Sequence, residues 1–261
     1  MVNPYLILEK HEPGISIIQI YRPETLNALN SELLLQLKAQ LVQESQDSKT
    51  QVVIITGAGE KAFISGADIS EMENKSISEG VQFSQLGHEV TKLLELMPKP
   101  TLAAVNGYAL GAGTEIAIAC DFILASETAI FGQPEVGLGM IPGFGATLRL
   151  SKFIGLPRAK ELIFSGRPVS AQEALALGLV NHVYPSEELM SRVLETALAM
   201  AAQSAPAIAR AKQLLNEFSE TQGLYFKIDA EAQAFGRLFG SPDQIEGVSA
   251  FLEKRKPKFL R

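Results

Sequence analysis

A chain of 261 residues with 46% hydrophobic and 20% charged residues has ordinary globular composition, and folding at this size buries roughly three quarters of the extended-chain surface. A formal net charge of −6 argues against a general nucleic-acid surface, the single cysteine excludes an intramolecular disulfide framework, and no stretch approaches the roughly 18 uncharged apolar residues that span a bilayer. The first residues carry no basic stretch followed by an unbroken apolar run, so a cytoplasmic protein without a targeting segment and without a membrane partner is expected.

YLILEK and ISIIQI, separated by the Glu-Pro-Gly turn at 12–14, read as a β-hairpin. Asn30 or Ser31 then starts an amphipathic helix with Leu33, Leu34, Leu37, Leu41 and Val42 on one face, and VVIITG at 52–57 reads as a strand buried on both sides. A polar loop is expected over 57–80 and a helix over roughly 81–97, stopped by Pro-Lys-Pro at 98–100 before the strand TLAAVNG. This strand–helix–strand order implies a right-handed crossover. A helix in GTEIAIACD, the strand FILAS, the short run AIFGQPE, helical pieces around GATLRLSKFIG, AKELIFSG and AQEALALG, and a last strand in LVNHVY follow. From about 187 onward the pattern is helical, with a module boundary expected near 190–200 and no linker to mark it.

Most motifs with a known mechanism are absent: there is no GxxxxGK[ST] phosphate loop, no HExxH, no calcium loop and no GxSxG elbow. His11, His88 and His182 stand far apart without metal-ligand spacing, and Cys120 reads as a small apolar residue on a buried helix face. Three loops are unusual in carrying glycine and small residues directly after apolar strands: FISGADISEM at 63–72, NGYALGAGTE at 106–115 and FGQPEVGLGMIPGFG at 131–145. In the second, amides near Ala112 and Gly113 lie at a helix N-terminus, which favours an oxygen gaining negative charge; tight packing alone also accounts for such glycines. Glu115 fits a first-turn carboxylate that complements the helix dipole, yet its flanks ALGAGT and IAIAC hold no other charge, so burial is expected to raise its pKa. Glu135, following Pro134 between apolar segments, reads either as a site carboxylate or as a first-turn glutamate after proline. The tail at 252–261 holds five basic residues against one acidic residue, and suits either a small anionic ligand or a neighbouring subunit, or is a solvated terminus.

Taken together, KAFISGADISEM (61–72), KPTLAAVNGYALGAGTEIAIACD (99–121), FGQPEVGLGMIPGFGATLRL (131–150), SAQEALALGLVNHV (170–183) and FLEKRKPKF (251–259) resemble the enoyl-CoA hydratase/isomerase, or crotonase, family over essentially the whole chain. The resemblance implies an α/β fold built as a spiral of ββα units over 1–195, with a C-terminal helical module over 196–261 that mediates trimers, often paired into hexamers. It implies hydration of a trans-2-enoyl-CoA by Glu115 and Glu135, an oxyanion hole formed by the backbone N–H groups of Ala67 and Ala112, and a water-positioning amide at Gly143. Coenzyme A contacts are implied at Lys61, Ser65, Ala67, Asp68, Ile69, Phe251 and Lys254, with no metal and no cofactor beyond the coenzyme A of the substrate. The sequence departs from the family at 111–114, where GAGT replaces a run such as GGGC; Ala112 keeps the amide, and its methyl bears on acyl-chain preference. Competing readings are an enoyl-CoA isomerase, which moves a proton without an activated water, and a non-catalytic CoA- or RNA-binding relative, which the paired glutamates and the acidic charge oppose.

Overall fold

Residues 4–72 and 75–217, with Pro242, Glu246, Ala250, Glu253, Arg255 and Lys258, are described in a computed structural model. Strands β1 (Leu6–His11) and β2 (Ile15–Ile20) form the antiparallel hairpin, and Asn30 caps helix α1 (Ser31–Gln46) by accepting from the Leu33 N–H at 2.9 Å. Then follow β3 (Val52–Gly57), β4 (Ala62–Ile64), α2 (Ile69–Met72), α3 (Ile77–Leu96), β5 (Thr101–Val105), β6 (Tyr108–Leu110), α4 (Ala112–Ala117), β7 (Phe122–Ser126), β8 (Ile130–Gly132), α5 (Ala146–Ile154), α6 (Leu156–Ser165), β9 (Val169–Ser170), α7 (Ala171–Leu177), β10 (His182–Tyr184), α8 (Leu189–Ala201) and α9 (Ala205–Glu217).

The strands sort into a six-stranded sheet, β1-β2-β3-β5-β7-β10, and a four-stranded sheet, β4-β6-β8-β9. Each turn of chain places one strand in each sheet before a helix returns it: β3 then β4, β5 then β6, β7 then β8. This is the ββα spiral. Beyond the first hairpin every pairing in the large sheet is parallel, which buries both faces and accounts for the unbroken apolar runs. Side-chain alternation splits them: Ile18, Ile20, Val53 and Ile55 face the inner core with α1 and α3, while Ile15, Ile17, Val52, Ile54 and Leu102 pack against α8 through Leu189, Val193, Ala197 and Ala201.

One departure from the sequence reading has a simple cause. The polar loop expected over 57–80 holds β4, α2 and the start of α3, because Ser76 and Glu79 form a reciprocal capping box that begins the helix at Ile77, a residue 91% exposed and outside any apolar stripe. Helix α8 lays its apolar stripe on the sheet. Helix α9 is tied to the core by Lys212, whose Nζ donates to the carbonyls of Leu94 and Lys99 at 3.0 and 2.9 Å and pairs with Asp121 at 2.9 Å.

Helix α4 crosses β4 so closely that a β-carbon on Gly113 would stand 2.0 Å from the Ile64 carbonyl oxygen. Gly113→Ala is therefore expected to destabilise the fold by about 1–3 kcal/mol, read as a lowered midpoint in urea unfolding.

Candidate active site

All six residues of α4 are buried, and Glu115 is only 1% exposed. Its carboxylate turns away from the first turn of its own helix and reaches the loop that opens α5. There its Oε1 accepts from the Phe144 and Ala146 N–H groups, both at 2.8 Å, and the Gly143 and Gly145 amides also face it. The side chain thus occupies the anion position at the start of α5. Burial pushes its pKa up, and the four amides pull it back. Complementing the α4 dipole is not its principal contact, so the simpler of the two sequence readings fails here.

Glu135 opens a short 3-10 turn, Glu135–Leu138, after Pro134. A β-carbon on Gly111 would stand 2.8 Å from its Oε1, so the carboxylate lies against the residue that precedes Ala112. With the buried Gln133 amide turned so that its nitrogen faces Glu135, it donates to both carboxylate oxygens, at 3.0 and 3.1 Å. Burial, with a further contribution from the negative charge of Glu115 and against a bond from its own backbone amide, pushes the Glu135 pKa up to about 7. Residues 20 apart in sequence are thus electrostatic neighbours.

The raised pKa has a stability signature. Between about pH 4.5 and 7 the folded protein keeps a proton on Glu135 that the unfolded chain has lost, so this contribution is fully present below 4.5 and disappears as pH rises through 7. Glu135→Gln is expected to be more stable than the wild type at pH 8 by about 2 kcal/mol, allowing for partial exposure, and equal to it near pH 4. Urea unfolding at the two pH values checks this; a gap that does not change with pH would contradict it.

Ala67 sits in an isolated parallel bridge with Leu29. The flanking groups make its bonds: the Leu29 N–H donates to Gly66 O and the Asp68 N–H to Leu29 O, each at 2.8 Å, which turns the Ala67 N–H to the opposite side. Ala112 is the first residue of α4, whose N–H has no acceptor within the helix. The two loops are adjacent, since a β-carbon on Gly66 would lie 3.4 Å from the Leu110 carbonyl oxygen.

The remaining expected contacts differ in what they offer. Lys61 is exposed, and Ile69 is half exposed. Ser65 spends its hydroxyl on the Thr25 carbonyl at 3.0 Å, and Asp68 accepts from Ser70 at 2.6 Å and from Arg22 at 3.1 Å, which together hold its carboxyl below the usual range against burial. The backbone N–H groups of both are engaged as well, with Leu26 O at 3.1 Å and Leu29 O at 2.8 Å. Gly143 presents its amide toward Glu115 while its carbonyl accepts from the Ser84 hydroxyl at 2.6 Å. Phe251 and Lys254 lie outside the described residues. His11 and His182 are exposed, His88 is half-buried, Cys120 is buried with its thiol pKa pushed up, and among the described residues no three His, Cys, Asp or Glu side chains group to hold a metal. Among the described residues no helix is long and apolar enough to cross a membrane.

Sequence reasoning did not find Gln133, the Phe144 and Ala146 donors, or Arg22. A glutamine inside the apolar run around FGQPE was the one visible signal for the first; backbone donors leave no trace in residue type.

The ββα spiral thus gathers the first amide of α4, the loop that carries Ala67 and two carboxylates of raised pKa, a set of groups able to stabilise developing negative charge and to carry a proton. The model of the family "Enoyl-CoA hydratase/isomerase" matches residues 10–261. The short-chain-enoyl-CoA hydratase of Clostridium acetobutylicum is 46% identical over 255 residues, covering 96% of this chain and 95% of that protein. The crotonyl-CoA hydratase of Syntrophomonas wolfei is 44% identical over 260 residues, covering 100% and 99%. The crystal structure of an enoyl-CoA hydratase from Bacillus anthracis superposes with a TM-score of 0.94 at 38% identity and 98% coverage of both chains. The chain belongs to the enoyl-CoA hydratase/isomerase family.

Proposed function

We propose that the protein is an enoyl-CoA hydratase that adds water reversibly across the 2,3 double bond of a trans-2-enoyl-CoA to give a 3-hydroxyacyl-CoA. The observation that carries this is the pairing of Glu115 with Glu135 beside Ala112: one buried carboxylate that accepts from amide donors, the other with its pKa pushed up to about 7. The Ala67 and Ala112 N–H groups bind the thioester oxygen, so that electron density drawn from the double bond collects there and carbon 3 becomes electrophilic. Water held between the two glutamates, with the Gly143 amide beside it, adds its hydroxyl to carbon 3. Glu115 takes the proton that this water loses, and Glu135 in its acid form delivers a proton to carbon 2. Passing the proton from Glu115 to Glu135 restores both groups, so the net change is one molecule of water added. Hydration moves no electrons to or from the protein, and coenzyme A enters only as part of the substrate.

Lys61 supplies a point charge for the phosphates of coenzyme A, the main chain of 65–69 lines the adenosine end, and Phe251 and Lys254 complete that region. The protein works in the cytoplasm as a homotrimer or a pair of trimers; Ile141, Leu148 and Phe164, 72%, 68% and 72% exposed, are apolar surface that such assembly would cover. Light scattering coupled to gel filtration is expected to give three or six times 28.2 kDa, and a monomer would contradict the assembly.

An isomerase on the same scaffold would need a proton carrier but no activated water. With crotonyl-CoA the hydratase removes the absorbance of the conjugated thioester; with a 3-enoyl-CoA an isomerase creates it. Fast loss with the first substrate and slow gain with the second is expected, and the reverse ranking would overturn hydration as the principal activity.

A further inference from the structure

The four amides that face Glu115 run from Gly143 to Ala146, the segment that leads into α5, and one face of α3 holds it from behind. Ser84, Gly87 and Thr91 lie three and four residues apart and therefore on one stripe of that helix. The Ser84 hydroxyl donates to Gly143 O at 2.6 Å, and the Thr91 hydroxyl lies 3.3 Å from Phe144 O. Between them Gly87 leaves a notch that the Phe144 ring fills: a β-carbon there would stand 2.2 Å from the ring. Phe83 closes the same pocket, its ring centroid 5.4 Å from that of Phe144. From the other side Arg149 donates to Phe144 O at 3.1 Å while its guanidinium is gripped by Glu95 of α3 at 2.7 Å.

We infer that Ser84 and Gly87 are positioning residues for the hydration reaction: through Gly143 and Phe144 they fix the amides that hold the Glu115 carboxylate. This rests on the proposed hydratase reading. The carbonyls of Gly143 and Phe144 are the handles and the amides of 143–146 the working ends, so a shift of α3 against the loop moves the donors and not the carboxylate. Glu115 is anchored independently, on a helix locked against β4 by the Gly113 contact. A displaced loop therefore leaves the carboxylate in place with fewer donors, which favours its protonated form and takes away the base. The charged and titratable groups that face the carboxylate or the 143–146 segment are Glu135 from the 3-10 turn, His88, Lys92 and Glu95 on α3 and Arg149 on α5, and none of the three substitutions below alters any of them.

The experiment compares wild type, Ser84→Ala, Ser84→Thr and Gly87→Ala for crotonyl-CoA hydration over pH 5–9, with thermal midpoints measured alongside. Ser84→Ala removes one hydrogen bond and no packing, and is expected to fold. Its kcat should fall roughly 10- to 100-fold, the cost of misplacing a reacting group by a fraction of an ångström to an ångström, with KM within about twofold. Its acid limb should move to higher pH, and Ser84→Thr, which keeps the hydroxyl, should restore both. Gly87→Ala should show the same limb shift with a larger loss of kcat. A merely structural role would lower the thermal midpoint and leave the limb in place. Folded Ser84→Ala with wild-type kcat and an unmoved limb overturns the inference whatever Gly87→Ala does. A folded wild type that hydrates nothing overturns the hydratase reading and this inference with it.

Discussion

Glu135→Gln is expected to lower kcat for crotonyl-CoA hydration by about 100- to 10000-fold, the usual worth of a positioned general acid. KM should change little, because the substitution keeps the size of the side chain and touches none of the groups assigned to coenzyme A. The magnitude follows from the microenvironment. A carboxyl with a pKa near 7 is populated in both protonation states at neutral pH, which is what delivery of a proton in one direction and its removal in the other require. An amide in the same place fills the space against Gly111 and faces Gln133, but holds no acidic proton. The same substitution should remove the alkaline limb near pH 7 from whatever hydration remains. The variant therefore separates two contributions of one side chain: it gains stability at pH 8 and loses turnover. A variant hydrating at the wild-type rate would remove Glu135 from the mechanism.

The second large effect concerns a donor that no side-chain substitution reaches. Ala112 contributes its backbone N–H, and only proline deletes that group. Its position suits the test, since proline is tolerated at the first residue of a helix, where the N–H has no helical acceptor. Gly111, at φ 50° and ψ −119°, mirrors the extended conformation that a residue before proline adopts, which glycine accepts without strain. Ala112→Pro should thus keep the fold and lose one oxyanion donor, costing about 2.7–4 kcal/mol of transition-state stabilisation, or roughly 100- to 1000-fold in kcat. Ala112→Gly, which keeps the N–H, should stay close to the wild-type rate. Equal losses in both variants would mean that the alanine methyl matters and the amide does not.

How much of this was legible before the structure depended on the kind of interaction. The long elements were: α1 announces itself by its leucine stripe, and β3 and β5 by short apolar runs that fit a parallel sheet covered on both faces. The three-residue strands β4, β6 and β8 were not, because each lies in a glycine-rich stretch too short to show alternation, yet they form the second sheet and bring the loops of the site together. Glu115 and Glu135 stood out as charges without charged company, but nothing in their spacing placed them side by side. Their proximity depends on the sheet bringing α4 under the loop after β8. The amide donors to Glu115 were invisible, because a backbone N–H is the same in every residue but proline. Gly87 and Phe144 show the same limit, being ordinary residues 57 positions apart until the notch and ring are seen together.

The most direct test is incubation of the folded protein with crotonyl-CoA in ¹⁸O-labelled water, followed by mass analysis of the thioester. The account predicts 3-hydroxybutyryl-CoA carrying the heavy oxygen at carbon 3, formed by the wild type and not, on the same timescale, by a protein lacking both carboxylates through Glu115→Gln and Glu135→Gln. Crotonyl-CoA recovered unlabelled and unchanged from the wild type, or label incorporated equally fast by the double variant, would contradict it.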